Sequence, residues 1–171
     1  LALIAVAGAQ YVNSNRIRIQ EANNAAQEVL QYLRAPRANS VAGELINGEL
    51  PEGGFGFFFD ESEQKVISFA NVNDDVVCNL ESTPPDVQLA ATKQLPVFLQ
   101  VEAYKTDIPP TGGATTSPIS DADTPADFWI LFDDSASVVT FGTTNTGNPI
   151  DPINTKEIEI KLILPQVKEY S

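Results

Sequence analysis

LALIAVAGAQYVNSNRIRIQEANNAAQEVLQYLRAPRANSVAG, residues 1–43, decides how the rest of the chain must be read. Its first ten residues carry no charge and a single polar side chain, Gln10. That run is shorter than the roughly 20 apolar residues a bilayer crossing needs, and it lacks the positive n-region of a secretory signal. Downstream the pattern turns one-sided. Ile19, Ala22, Ala26, Val29, Leu30 and Leu33 recur at three- and four-residue spacing, the helical period. Arg16, Arg18, Asn23, Asn24, Gln27 and Gln31 fill much of the remaining surface, and good helix formers dominate from Ile19 to Ala35. The spacing predicts one helix over 1–42, with an apolar segment at 1–12 and an amphipathic part at 13–42. Pro36 is expected to kink or end it near Arg34 or Ala35, with room for a further turn over Arg37–Ala42.

A helix that begins apolar all round and becomes one-sided suits an element half buried in lipid or an assembly and half packed on its own domain. Ala2, Ala5, Ala7, Gly8 and Ala9 give little volume to a globular core but permit close helix–helix approach. The apolar run is expected to be the rear of a longer apolar segment.

The remainder, 43–171, reads as a β-rich head. Gly53, Gly54 and Gly56 interrupt a run ending Phe57–Phe58–Phe59; Asp60–Gln64 is a polar turn and Lys65–Val72 the returning strand. Val97–Tyr104 alternates throughout. Phe128–Phe132 and Val138–Phe141 flank the polar turn Asp133–Ser137 as a second hairpin, and Glu157–Leu164 alternates as a half-exposed strand. Two stretches, 106–127 and 143–154, are rich in Pro, Gly, Thr, Ser and Asp without apolar period, and are expected to be long loops. The fold class that follows is α+β: a long N-terminal helix packed on an antiparallel β-sheet domain.

Charge divides at the same place. Residues 1–40 hold four arginines and two glutamates, a formal +2; residues 41–171 hold six lysines and 21 acids, a formal −15, within a chain total of −13. Such a surplus of acid argues against nucleic acid as a partner, because phosphate binding needs clustered Lys and Arg. The asymmetry implies that two parts of the molecule face different surroundings.

Catalytic constellations are missing at the level of residue types. With no His, the chain has no Ser–His–Asp triad, no Cys–His pair and no imidazole metal ligand. Cys78 stands alone in an apolar run, the setting of a small buried hydrophobe. Adjacent carboxylates at Asp74–Asp75 and Asp133–Asp134 sit in polar turns and are expected to point to water. Phe55–Phe59 and Trp129 read as sheet core. No enzymatic activity and no cofactor are expected. Calcium is the one cation with candidate ligands: Asn71-x-Asn73-x-Asp75 and Asp121-x-Asp123 place oxygens at alternate positions. The first lacks the central Gly and the bidentate Glu of a complete loop.

The long helix leading into an all-β domain resembles type IV pilins and pseudopilins. Residues 1–43 carry the likeness, followed by P-E-G-G-F-G-F-F-F at 51–59. In the GspH/FimT-like branch the helix ends in a stretch similar to Ala26, Val29 or Leu30, Leu33–Arg34–Ala35 and Ala38. A Pro-x-Gly-aromatic-Gly strand then follows, similar to Pro51, Gly54, Phe55 and Gly56. The basic leader and the early glutamate that mark the family have no counterpart in these residues.

The resemblance implies a structural subunit of an extracellular filament at the cell surface, held in the inner membrane before assembly, with copies of itself as partners. Leu1, Leu3, Ile4, Val6, Gly8 and Tyr11 would then form the assembly interface. Arg16 and Arg18 would lie just past it, able to meet acids on a neighbour. Two other roles fit the same residues: a minor pseudopilin of a type II secretion system, and a membrane-anchored binding module whose loops 106–127 and 143–154 grip a ligand.

Overall fold

The helix does not stop at Pro36. α1 runs unbroken over Ala2–Ala42 in the computed structural model. That model describes residues 2–73, 85–108, 112–120, 123, 125–132, 139–143 and 155–165, with side chains from residue 15 onward except at 139 and 156. Proline inside a helix removes the N–H that would close onto the carbonyl four residues back, at a cost of about 3 kcal/mol. Here that carbonyl belongs to Tyr32, and the buried Ser68 hydroxyl donates to it at 2.8 Å. A side chain of the sheet thus replaces the missing backbone donor, and Pro36 is itself fully buried. The expected break near Arg34 is corrected by a partner 36 residues away.

What ends the helix is Gly43. At φ 60° it lets its own N–H reach Ser40 O (3.1 Å) and the Glu44 N–H reach Asn39 O (3.0 Å), the paired closing bonds of a left-handed C-terminal cap. The chain then makes a tight turn at Ile46–Glu49. Asn47 and Gly48 both have positive φ, and Ile46 and Glu49 exchange backbone bonds of 2.8 and 3.1 Å.

The strands are β1 (Phe55–Asp60), β2 (Lys65–Ala70), β3 (Val87–Gln88), β4 (Lys93–Gln94), β5 (Gln100–Asp107), β6 (Thr115–Ser120), β7 (Phe128–Phe132), β8 (Val139–Thr143) and β9 (Thr155–Ile163). They form two antiparallel sheets. One has the order β3-β2-β1-β7-β8, with β4 also paired to β2; the other has the order β6-β5-β9. Among the described residues, one helix and antiparallel sheets make the chain α+β.

β1 lies at the centre of the larger sheet and is apolar on both sides, as a strand covered on both faces must be. Phe57 and Phe59 stand beside Ser68 and Val66 on β2, and beside Ile130 and Phe128 on β7. This face meets Ala25 and Val29 of α1 and is closed by Leu99, Val101, Ala103 and Ile119 of the second sheet and its flanks. The opposite face carries Ile67, Phe69, Trp129 and Leu131 with Phe58 against them, so both hairpin aromatics and Trp129 are core. Gly56 and Gly142 leave room for these large groups. A Cβ on Gly56 would lie 2.4 Å from the Phe69 ring, and one on Gly142 would lie 2.5 Å from the Trp129 indole.

Three further expectations change. Ile19 is 51 % exposed and Leu30 is also exposed. The face turned to the sheet is instead Ala22, Ala25, Val29, Tyr32, Leu33, Pro36 and Ser40. Small side chains bring the helix backbone close, and the larger ones flank the contact instead of filling it. Val97 is 84 % exposed: Leu99 N–H turns back to Pro96 O at 2.9 Å, so the strand starts at Gln100, not Val97.

The stretch 106–127 is not one loop. Thr106 and Asp107 belong to β5, and Thr115–Ser120 pairs with it as β6. β6 is the edge of its sheet, where the missing N–H of Pro118 costs little. The Asp133–Ser137 turn, Cys78, both adjacent carboxylate pairs and all of 143–154 except Thr143 lie outside the described residues.

Candidate assembly interface

The apolar front and the sheet-packed rear of α1 are a single helical rod. Leu3, Ile4, Val6, Gly8 and Tyr11 all sit on its helical backbone; Leu1 and the side chains of residues 2–14 lie outside what is described. Among the described residues no helix is long and apolar enough to cross a membrane.

The rear is tied to the head along one side. Arg18 places its guanidinium over the Phe98 ring, 4.8 Å from the centroid, a cation held by the ring's negative face. Glu28 pairs with Lys93 of β4 at 2.9 Å, and the Tyr32 hydroxyl donates to Ala91 O. With the Ser68 bond these contacts fix the rotation of the helix about its axis. Arg18 is therefore engaged within its own copy, whereas Arg16 is exposed.

One exposed flank carries more than the polar residues Gln20, Asn23, Asn24, Gln27 and Gln31 that face solvent beside it. Ile19, Leu30 and Val41 recur along it at 11-residue intervals, about three helical turns each. All three are exposed, Val41 by 67 %. Arg16 and Arg34, 18 residues apart, share one azimuth after about five turns. Arg37 lies beside them. The helix's two acids, Glu21 and Glu28, fall on the opposite flank.

Several polar groups of the head are satisfied internally. Glu102, buried on the outer face of β5, accepts from Gln100 Nε2 (2.7 Å) and from the Tyr104 hydroxyl (2.7 Å). Lys161 sits 4.4 Å from the Tyr104 ring centroid. Lys105 Nζ and the Thr155 hydroxyl hold Asp107 at 2.5 and 2.6 Å, and these two bonds keep its carboxyl below the ordinary value. Asp60 closes the β1–β2 turn. Burial pushes its carboxyl up, but the Glu63 N–H, the Ser62 hydroxyl and Lys65 outweigh that and leave it lowered.

Of the calcium candidates, Asp75 and Asp121 lie outside the described residues. Asn71 is a plug at the base of the first hairpin. Its N–H bonds to Gly54 O at 2.9 Å, its Oδ1 accepts from the Asn73 N–H at 3.4 Å, and its side chain fills the space beside Gly53. Asp123 is exposed, well along the chain from Asn73. Among the described residues no three Asp, Glu or Cys side chains converge. Sequence reasoning missed the Ser68–Tyr32 bond and the Glu102 network, since neither leaves a local pattern. The Asn47–Gly48 pair was the available signal for the tight turn after the helix.

No known family model, curated protein or solved structure matches this chain.

Proposed function

We propose that the chain is a non-enzymatic structural subunit of a type IV pilin-like filament, which assembles outside the cell through the front of α1 and rests in the inner membrane beforehand. One observation carries the reading: a single helix begins as an uncharged apolar segment and continues, without a break, into a rear that is bonded to the sheet. A head rigidly joined to such a rod can be added to an assembly by burying the rod alone. The driving term is apolar burial, about 25 cal/mol per Å² removed from water, with close contact between small-residue faces. The acid surplus of residues 41–171 would coat the outside and keep filaments apart.

The test is to shear surface filaments from cells that express the protein, identify their subunit and image them. Filaments built of this chain support the reading. A protein that stays monomeric and soluble with its helix front intact overturns it.

A further inference from the structure

Four lysines of the head are engaged within their own copy, and among the described residues the outer arginines of the helix meet no carboxylate. Lys65, Lys93, Lys105 and Lys161 each pair with a carboxylate. Among the described residues no carboxylate lies within salt-bridge distance of Arg16, Arg34 or Arg37, and all three are exposed. They share their side of α1 with Ile19, Leu30 and Val41, also exposed. The result is a strip about 38 Å long, at 1.5 Å per residue, that is basic and apolar together.

Its complement lies just past the helix cap. The turn at 44–52 carries Glu44, Glu49 and Glu52, all exposed and, among the described residues, within salt-bridge distance of no cation. Between them Leu45 and Leu50 are 56 % and 49 % exposed. Three acids and two leucines on one short turn match three arginines and three aliphatic side chains on the strip, in charge and in apolar content.

We infer that the strip of one copy docks the 44–52 turn of the next copy, and that this contact sets the register of the filament proposed above, on which the inference rests. The two surfaces are different patches of one chain, and in the filament they meet head to tail, as a heterologous contact. Repetition of such a contact gives a ring or an open helix, not a closed two-fold dimer. An anionic lipid surface is the other occupant a basic apolar helix face invites. The −15 carried by residues 41–171 opposes it.

The experiment uses the full chain with a photo-crosslinking amino acid in place of Leu30, in a mixture of isotopically light and heavy copies. Expected are light–heavy adducts onto 44–52. They fall by roughly tenfold in Arg34→Glu/Arg37→Glu and in Glu49→Arg/Glu52→Arg, and recover to within about threefold when both reversals share one chain. Arg34→Lys/Arg37→Lys, which keeps the charge, retains most of the signal and controls for misfolding. Adducts insensitive to the reversals, a combined variant that does not recover, or adducts to lipid or to another protein overturn the inference. Filaments without a 44–52 adduct sink the docking contact and leave the filament reading standing. Adducts without filaments do the reverse.

Discussion

The aliphatic side chains of α1 fall on two sides of the helix and end in opposite circumstances. The inner side uses Ala22, Ala25 and Val29 to bring backbone close to sheet, and it is stitched down by Ser68, Lys93 and Ala91. The outer side places its larger aliphatics, Ile19, Leu30 and Val41, at exposed positions beside the outer arginines. In this helix side-chain size does not mark the core; closeness does. A face that is to be buried later, against something else, can carry the larger groups.

That contrast can be broken by substitution. The greatest loss of stability is expected on the inner side's own floor. Phe57→Ala empties a fully buried ring site beneath the helix and should cost about 3–5 kcal/mol in denaturant unfolding. Ser68→Ala leaves the part-buried Tyr32 carbonyl without its donor and should cost about 1–2 kcal/mol. The same change in a Pro36→Ala background should cost less, because an alanine at that position returns a backbone N–H to the carbonyl. Equal costs in both backgrounds would disprove the substitution of hydroxyl for amide. Gly43→Ala, which puts a Cβ into the left-handed region, should cost about 1–2 kcal/mol.

On the outer side, Leu30→Ser and Arg34→Glu should each change monomer stability by no more than about 0.5 kcal/mol. A loss comparable to that of Ser68→Ala would show that this side belongs to the fold.

The smallest effect concerns acid. Because the Asp60 carboxyl is lowered in the folded chain, its contribution is complete above the ordinary value of 3.8 and is lost as pH falls through the depressed one. Asp107, held by Lys105 and Thr155, has the same sign. Urea midpoints measured near pH 6 and near pH 3 should differ less for Asp60→Asn than for the native chain. Identical slopes would remove Asp60 from the account.

The first hairpin and Trp129 as core were legible as apolar runs bounded by polar turns, and the half-exposed last strand by its alternation: β1 and β2 pair from Phe55↔Ala70 to Asp60↔Lys65 around the polar turn. β6 was not. TTSPIS has no apolar period and carries a proline, and only its edge position makes it a strand. A helix reaching Ala42 was legible, but its passage through Pro36 without a stop was not, since the donor that permits it comes from another element. For the interface, sequence pointed to the front of α1 and to Arg16 and Arg18. It could not separate Arg18, held over Phe98, from Arg16, Arg34 and Arg37. That separation depends on which way the helix is rotated, and rotation is fixed only by the sheet.

The missing rung at Pro36 also bears on how the molecule responds to force. A pull on the front of α1 travels down a ladder of backbone bonds that has one gap, between Tyr32 and Pro36. At that gap the Ser68 hydroxyl ties the helix sideways to the middle of β2. That strand sits one place from the centre of its sheet, with β1 on one side and β3 and β4 on the other. The helix is thus tied laterally to the sheet at the one position where its own ladder lacks a rung, so bending of the rod there is opposed by the sheet as well as by the helix.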